Sequence, residues 1–179
     1  MATILTTHDA IVLAARPHKE NDLRISWYSR THGLCDAIAI GARKSTSKQR
    51  MRLEPGTVTF LTTAQGKQFD RVISSEPVRV PTALRETLLG MQGLQFLCAI
   101  ILETQRQADM QHGLWDVLLV ARMYLEEQTL TPGLVDAWSQ QLGRRILEAA
   151  GFAAPAHHVR TTMETYFERP LRAWAILEL

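Results

Sequence analysis

Residues 10–60 read AIVLAARPHKENDLRISWYSRTHGLCDAIAIGARKSTSKQRMRLEPGTVTF, and this stretch decides the fold. Short runs rich in β-branched and aromatic residues alternate in it with the turn dipeptides Arg16-Pro17, His32-Gly33 and Pro55-Gly56. Such punctuation predicts strands over residues 9–15, 23–29, 34–42 and 57–63, with a further one over 69–77 after Gln65-Gly66. Ile11 and Leu13 then point to one face and Val12 to the other, while Val58, Phe60 and Thr62 share a face.

Short strands in such quick succession predict a small closed barrel, and the five-stranded OB-fold is the common nucleic-acid-binding form of it. After Pro81 the period becomes helical. Leu84, Leu88, Met91, Gln95 and Cys98 follow helical steps, extended by Leu94, Leu97 and Ile101. A second helix is predicted over 113–127 and a third over 133–150, with Pro132 at its first turn and Gly151 at its end. The expected architecture is therefore α+β, with an OB-fold nucleic-acid-binding domain over residues 1–80 and an all-helical partner-interaction domain over 81–179. The helical half is expected to close by packing Phe152, Tyr166, Phe167 and Trp174 onto the earlier helices.

Charge follows the same division. The net charge of +2 conceals +5 over residues 1–80 and −3 over 81–179, and all four lysines lie in the first part. A polyanionic partner is expected for the barrel. No apolar run reaches the ~18 residues of a membrane span, and MATILTTHDA has no basic start followed by an apolar block, so neither membrane association nor a secretory signal is expected. Cys35 and Cys98 form no CxxC pair and sit among apolar residues, which predicts buried filler in a reducing, cytoplasmic setting.

The sharpest local feature is GARKSTSKQRMR, residues 41–52, which holds Arg43, Lys44, Lys48, Arg50 and Arg52 with no acid. Phosphates are bound by cations on an anchored loop, with hydroxyls and amides such as those of Ser45, Thr46, Ser47 and Gln49 adding hydrogen bonds. The bland alternative is a solvated charged face. Lys44-Ser45 after a strand is superficially like a P-loop, but Arg43 stands where the glycine before the lysine belongs. Arg16, Lys19, Arg24 and Lys67 are expected to widen the cationic surface. Stacking candidates are Trp27, Tyr28, Phe60 and Phe69. Trp27 and Tyr28 must oppose one another on a strand, so one belongs to the core, and Phe60 is expected there too. Few platforms remain, which favours backbone electrostatics over base reading.

No catalytic set is present: HExxH, GxSxG and GxGxxG are all missing. His157-His158 lacks a third ligand, so no metal and no cofactor is expected. Glu20 and Asp22 are expected to stabilise a turn, and Glu126-Glu127 to end a solvated helix. In the helical half Arg106, Arg122, Arg144 and Arg145 sit among apolar residues.

Residues 10–60 resemble the N-terminal domain of the bacterial RecO family of DNA repair proteins. The shared features are the Glu20-Asn21-Asp22 turn, the pattern x-x-x-G-x-x-x-A-x-A-x-G from Arg30 to Gly41, the basic serine-bearing loop from Gly41 to Ser45, and Leu53-Glu54-Pro55 before the fourth strand. In the helical half LGRRILEAAGFAAP is similar to the family's Gly-aromatic-x-x-Pro helix ending, and FERPLRAW to its last helix. Family members with a four-cysteine zinc knuckle carry it after this turn. Here residues 153–162 hold no cysteine, and the helical domain is expected to be a shortened one.

The resemblance implies a non-enzymatic mediator of DNA repair and homologous recombination, cytoplasmic and nucleoid-associated. Its implied partners are single-stranded and double-stranded DNA, RecR, and the acidic, phenylalanine-ending C-terminal tail of single-strand binding protein. It would promote annealing and help load the RecA recombinase, meeting the RecA filament indirectly. A tail pocket needs a cation beside an apolar slot, and Arg122 beside Trp115, or Arg144 and Arg145 near Trp138, are the expected pairs. The residues alone leave two alternatives: an OB-fold RNA-binding or translation-associated factor, and a hydrolase with an unrecognised site.

Overall fold

The computed structural model of the chain describes residues 4–105, 111, 113–155 and 157–178. Among these, residues up to Val80 and Gln105 form one unit, and Pro81–Thr104 with those from Gln111 onward form a second.

The first unit is a closed barrel with strand order β1-β2-β3-β5-β4. Its strands are β1 (Leu5–His18), β2 (Asp22–Ser29), β3 (Gly33–Ala39), β4 (Val58–Ala64) and β5 (Asp70–Arg79). This is the OB-fold arrangement, in which β1 closes the barrel by pairing with both β2 and β4. That double duty is why β1 begins earlier than its apolar run predicts: residues 5–11 face β4 and residues 10–18 face β2. A bulge between Val12 and Ala14 lets the strand bend from one pairing into the other.

The barrel core is filled by interdigitating large and small residues. Ile25 opposes Ala37 and Leu23 opposes Ala39 across β2 and β3, so bulky side chains on one strand meet methyl groups on the next. The run Ile11, Val12, Leu13 is buried on both faces. On β4 the inward residues are Thr59, Leu61 and Thr63, and the expected core residue Phe60 is 47% exposed. On this inward face the buried His8 ring bonds the Thr63 hydroxyl at 3.2 Å and meets Trp27 edge-on, with ring centroids 5.4 Å apart. Burial lowers the pKa of His8 and favours its neutral form. Cys35 is part-buried. Burial and the neighbouring Asp36 and Asp70 carboxylates push its thiol up to about 11, which keeps it protonated and unreactive.

Between β3 and β4 the chain makes a short helix, α1 (Gln49–Arg52). Both flanks of this basic stretch are fixed: Ala42 and Leu53 are fully buried members of the barrel core.

The second unit contains α2 (Leu88–Thr104), α3 (Leu114–Glu127), α4 (Pro132–Ala149) and α5 (Val159–Tyr166), with single 3-10 turns at Ala83–Arg85 and Arg172–Ile176. Leu84 lies in the first of these turns, before α2 begins. Leu88, Met91 and Gln95 are exposed, whereas the expected Leu94, Leu97, Cys98 and Ile101 are buried, joined by Phe96 and Ile100. Being apolar almost all round, this helix carried too little contrast for its buried face to be read from spacing. α4 starts as expected: the Thr131 hydroxyl accepts the Leu134 N–H at 3.2 Å and Pro132 opens the first turn. At its end Gly151 takes φ +83°, and the Phe152 N–H reaches the Leu147 carbonyl.

Phe96 centres this core, with Trp138 and Trp174 edge-on at 5.8 and 4.9 Å. The stretch FERPLRAW is a turn followed by a 3-10 segment, not a last α-helix, because Glu168 adopts φ +52° and Pro170 cannot continue a helix. Of the four aromatic residues expected to close this unit, Trp174 is buried and Phe167 half-buried. Phe152 and Tyr166 are exposed and stack on each other at 4.0 Å.

Leu53→Ala removes a fully buried side chain that no loop movement can replace while Ala42 stays in the core. The change is expected to lower barrel stability by about 2–5 kcal/mol. Hydrogen exchange of the β2 and β3 amides measures this directly, and a loss below ~1 kcal/mol would contradict the anchoring role.

Candidate nucleic-acid interface

The basic stretch is an anchored display. Between buried Ala42 and Leu53 no residue is buried. Its first half is pinned to the β1–β2 turn: the Gly41 N–H donates to the Asp22 carboxylate at 2.8 Å, and the Arg43 N–H to the Asn21 carbonyl at 2.9 Å. Gly41 sits at φ +66°, a backbone shape that disfavours any side chain. Asp22 thus ties the turn to the far end of β3, a longer reach than the local role its position suggested.

The five cations of the stretch divide by this geometry. Arg43 donates to the Glu20 carbonyl at 3.0 Å, and Arg52 to the Ser75 carbonyl at 3.3 Å. Both therefore brace the barrel as well as carrying charge. Lys44, Lys48 and Arg50 are exposed, as is Ser45 beside them. Ser47 accepts the Gln49 N–H at 3.3 Å and helps start α1.

A second group of cations lies on the outer face of the barrel. Strand register sets Arg16 directly opposite Arg24, Arg24 opposite Ile38, and Ile38 opposite Arg71. Residues directly opposite share a face, and their neighbours Leu23, Ile25, Ala37, Ala39 and Val72 face the core. Arg24 is fixed by the Asp36 carboxylate at 3.0 Å, which also accepts from Ser26. Lys19 and Lys67 are exposed on the β1–β2 and β4–β5 turns. The β1–β2 turn joins the two groups, since it holds Arg43 and leads within two residues of Asp22 to Arg24. Sequence reasoning missed Arg71; only the β3–β5 register reveals it.

The aromatic residues sort clearly. Trp27 and Tyr28 do point to opposite faces, yet both are buried, so neither is a platform. Phe60 is exposed but stands directly between Asp9 and Glu76 on neighbouring strands. Phe69 is part-exposed, with the Arg24 guanidinium 5.2 Å from its ring centroid.

In the helical unit α3 and α4 enclose a groove of about 560 Å³ lined by Val117, Val120, Tyr124, Trp138, Gln141 and Arg145 among others. Two expected residues meet there. Trp138 forms the apolar floor, its indole N–H donating to the Ala121 carbonyl at 3.1 Å, and exposed Arg145 stands at the rim, paired with Glu148 at 3.0 Å. The others do not join them. Arg122 is fully buried and bonds Glu126 at 2.9 Å, so it is a core ion pair and not a surface cation; α3 does end at the exposed Glu127, while Glu126 turns to Arg122. Trp115 is buried, and Arg144 is half-buried outside the groove lining. Arg106 lies outside the described residues. Among the described residues no three His, Cys, Asp or Glu side chains are grouped to hold a metal ion, and no helix is long and apolar enough to cross a membrane.

The triple change Lys44→Glu, Lys48→Glu, Arg50→Glu is expected to weaken binding of a single-stranded oligonucleotide while leaving the melting temperature unchanged. If each cation meets one phosphate, the log–log salt slope falls by about 2. Arg43→Glu should instead lower the melting temperature, because its carbonyl bonds are lost. Fluorescence anisotropy and circular dichroism read both outcomes.

Residues 1–81 match the family model described as Recombination protein O N terminal. The chain is 30% identical over 169 residues to DNA repair protein RecO of Gloeobacter violaceus, covering 91% of this chain and 60% of that protein. It is 28% identical over 155 residues to DNA repair protein RecO of Synechocystis sp., covering 87% and 57%. With DNA repair protein RecO of Pelotomaculum thermopropionicum it shares 32% over 111 residues, covering 62% and 43%. The chain thus spans between 43% and 60% of the length of these three relatives. With an OB-fold barrel matched by the RecO N-terminal model and RecO proteins aligned over most of its length, the chain is similar to the RecO family in both of its units.

Proposed function

We propose that this protein acts in DNA repair and homologous recombination as a binder of single-stranded DNA. The observation that carries this reading is the exposed set Lys44, Lys48 and Arg50 on a segment whose two ends are buried in the barrel core. Phosphates are met there by cations whose backbone is already held at both ends, which limits the entropic cost of binding to that of the side chains. Arg16, Lys19, Arg24 and Lys67 extend the surface, and Ser45 adds a hydroxyl. Arg43 and Arg52 act mainly by holding the segment in shape.

Such a surface supports strand annealing without an energy source. Two polyanionic strands repel, and cations that displace their condensed counterions lower that repulsion for single and double strands alike. The role is one of binding, with no catalytic step. By its similarity to RecO proteins the protein would work in the cytoplasm at the nucleoid, with RecR, helping RecA onto strands coated by single-strand binding protein. The α3–α4 groove suits the acidic, phenylalanine-ending tail of that protein. Val120, Tyr124 and Trp138 offer an apolar slot for a terminal phenyl ring, and Arg145 offers a cation for a carboxylate. The Glu148 partner of Arg145 is a weak competitor, as exposed ion pairs contribute little.

Binding of a single-stranded oligonucleotide is expected to depend weakly on sequence and strongly on salt. Neutralising about five phosphates gives a log–log slope of roughly −3 to −4. Anisotropy titrations between low and moderate salt provide the measurement. A flat response contradicts the electrostatic account, and tighter binding of RNA than DNA of the same sequence favours an RNA-binding factor instead.

A further inference from the structure

A surface made only of cations does not distinguish single strands from duplex in favour of the former, since duplex DNA has the higher charge density. An aromatic ring open to stacking does, because only an unpaired base presents its face. Among the described residues of the barrel, the Phe, Tyr and Trp rings exposed to any extent are Phe60 and Phe69.

Their surroundings are opposite. Phe60 has the more open ring, but its direct cross-strand neighbours are the carboxylates Asp9, which Arg30 meets at 4.0 Å, and Glu76, so no cation stands beside it in the register to hold a phosphate. Phe69 lies beside Arg24, whose guanidinium is 5.2 Å from the ring centroid and is held in place by Asp36. His18 meets the ring edge-on at 6.3 Å. Lys67 is exposed two residues away on the same turn, and Arg71 two residues beyond on the outer face.

The turn that carries Phe69 is closed on itself. The Gly66 N–H donates to the Asp70 carboxylate at 3.2 Å, and a Cβ at Gly66 would lie 1.9 Å from the Phe69 carbonyl oxygen. No larger residue fits there without moving the turn, and the backbone that carries the ring beside Arg24 is thereby held in shape.

We propose that Phe69 is the stacking platform for an unpaired base, and that this ring gives the barrel a preference for single-stranded over double-stranded DNA. The inference rests on the DNA-binding reading above. A nucleotide bound here places its phosphate on Arg24, Lys67 or Arg71 and its base on the ring, a pairing that Phe60 cannot offer.

The test uses the full chain and two oligonucleotides, one single-stranded and one a duplex with the same number of phosphates. Phe69→Leu keeps an apolar side chain on the turn and is expected to reduce single-strand affinity about tenfold, within the range for one lost base–aromatic stack, while leaving duplex affinity unchanged. Equal losses for both ligands, or no loss for either, would overturn the assignment while the cationic surface stands. Phe69→Trp covers the case in which the leucine variant is unstable. All four native tryptophans are buried and give a constant background shielded from contact with a base, so the change in emission on binding reports the new indole, which should be quenched by the single strand and not by the duplex. Unquenched emission on a bound single strand overturns the platform. Failure of the wild-type chain to bind either ligand overturns the DNA reading and the platform together.

Discussion

Burial of Ala42 and Leu53 in one core is the constraint on which the barrel's chemistry depends. A segment with five cations and no acid repels itself and has little reason to adopt one shape. Tethered at both ends to an apolar interior, it is confined to a short arc over the barrel end. The two anchors act through the hydrophobic effect, worth roughly 2 kcal/mol for a fully buried leucine, while the charged residues between them contribute nothing to the core. Stability and ligand capture are thus assigned to different side chains of the same segment, and Arg43 and Arg52 lie at the boundary, bonded to backbone carbonyls yet still charged.

The outer face of the barrel continues the same logic through strand register. β-Pairing aligns Arg16, Arg24 and Arg71 in a lateral row although they are far apart in sequence. Carboxylates sort the rest of the surface. Asp36 fixes Arg24 on the cationic side, whereas Asp9 and Glu76 flank Phe60 on the other. A polyanion therefore finds clustered cations beside Phe69 and carboxylates beside Phe60.

The strands and their turns were legible in the sequence because Gly, Pro and alternating apolar residues mark them locally. The basic stretch was legible for the same reason. What escaped was whatever depends on the third dimension. Period-two alternation groups Val58, Phe60 and Thr62 but does not say whether that group faces in, and the burial of Thr59, Leu61 and Thr63 shows that it does not. Arg122 looked like a surface cation because arginine usually is one, and its burial against Glu126 follows from how α3 packs. Arg71 carries no local signal at all. Its place in the site comes from a parallel pairing with β3, a contact between residues more than thirty positions apart.

The central claim is that one side of the barrel, built from the anchored stretch and the Arg24 face, is where DNA lies. Hydrogen–deuterium exchange of the full chain with and without a single-stranded oligonucleotide tests it most directly. The account predicts protection concentrated in residues 16–24, 41–52 and 65–71, with the Phe60 and Glu76 face unchanged. Protection centred on Phe60 and Glu76, or confined to the helical unit, would contradict it.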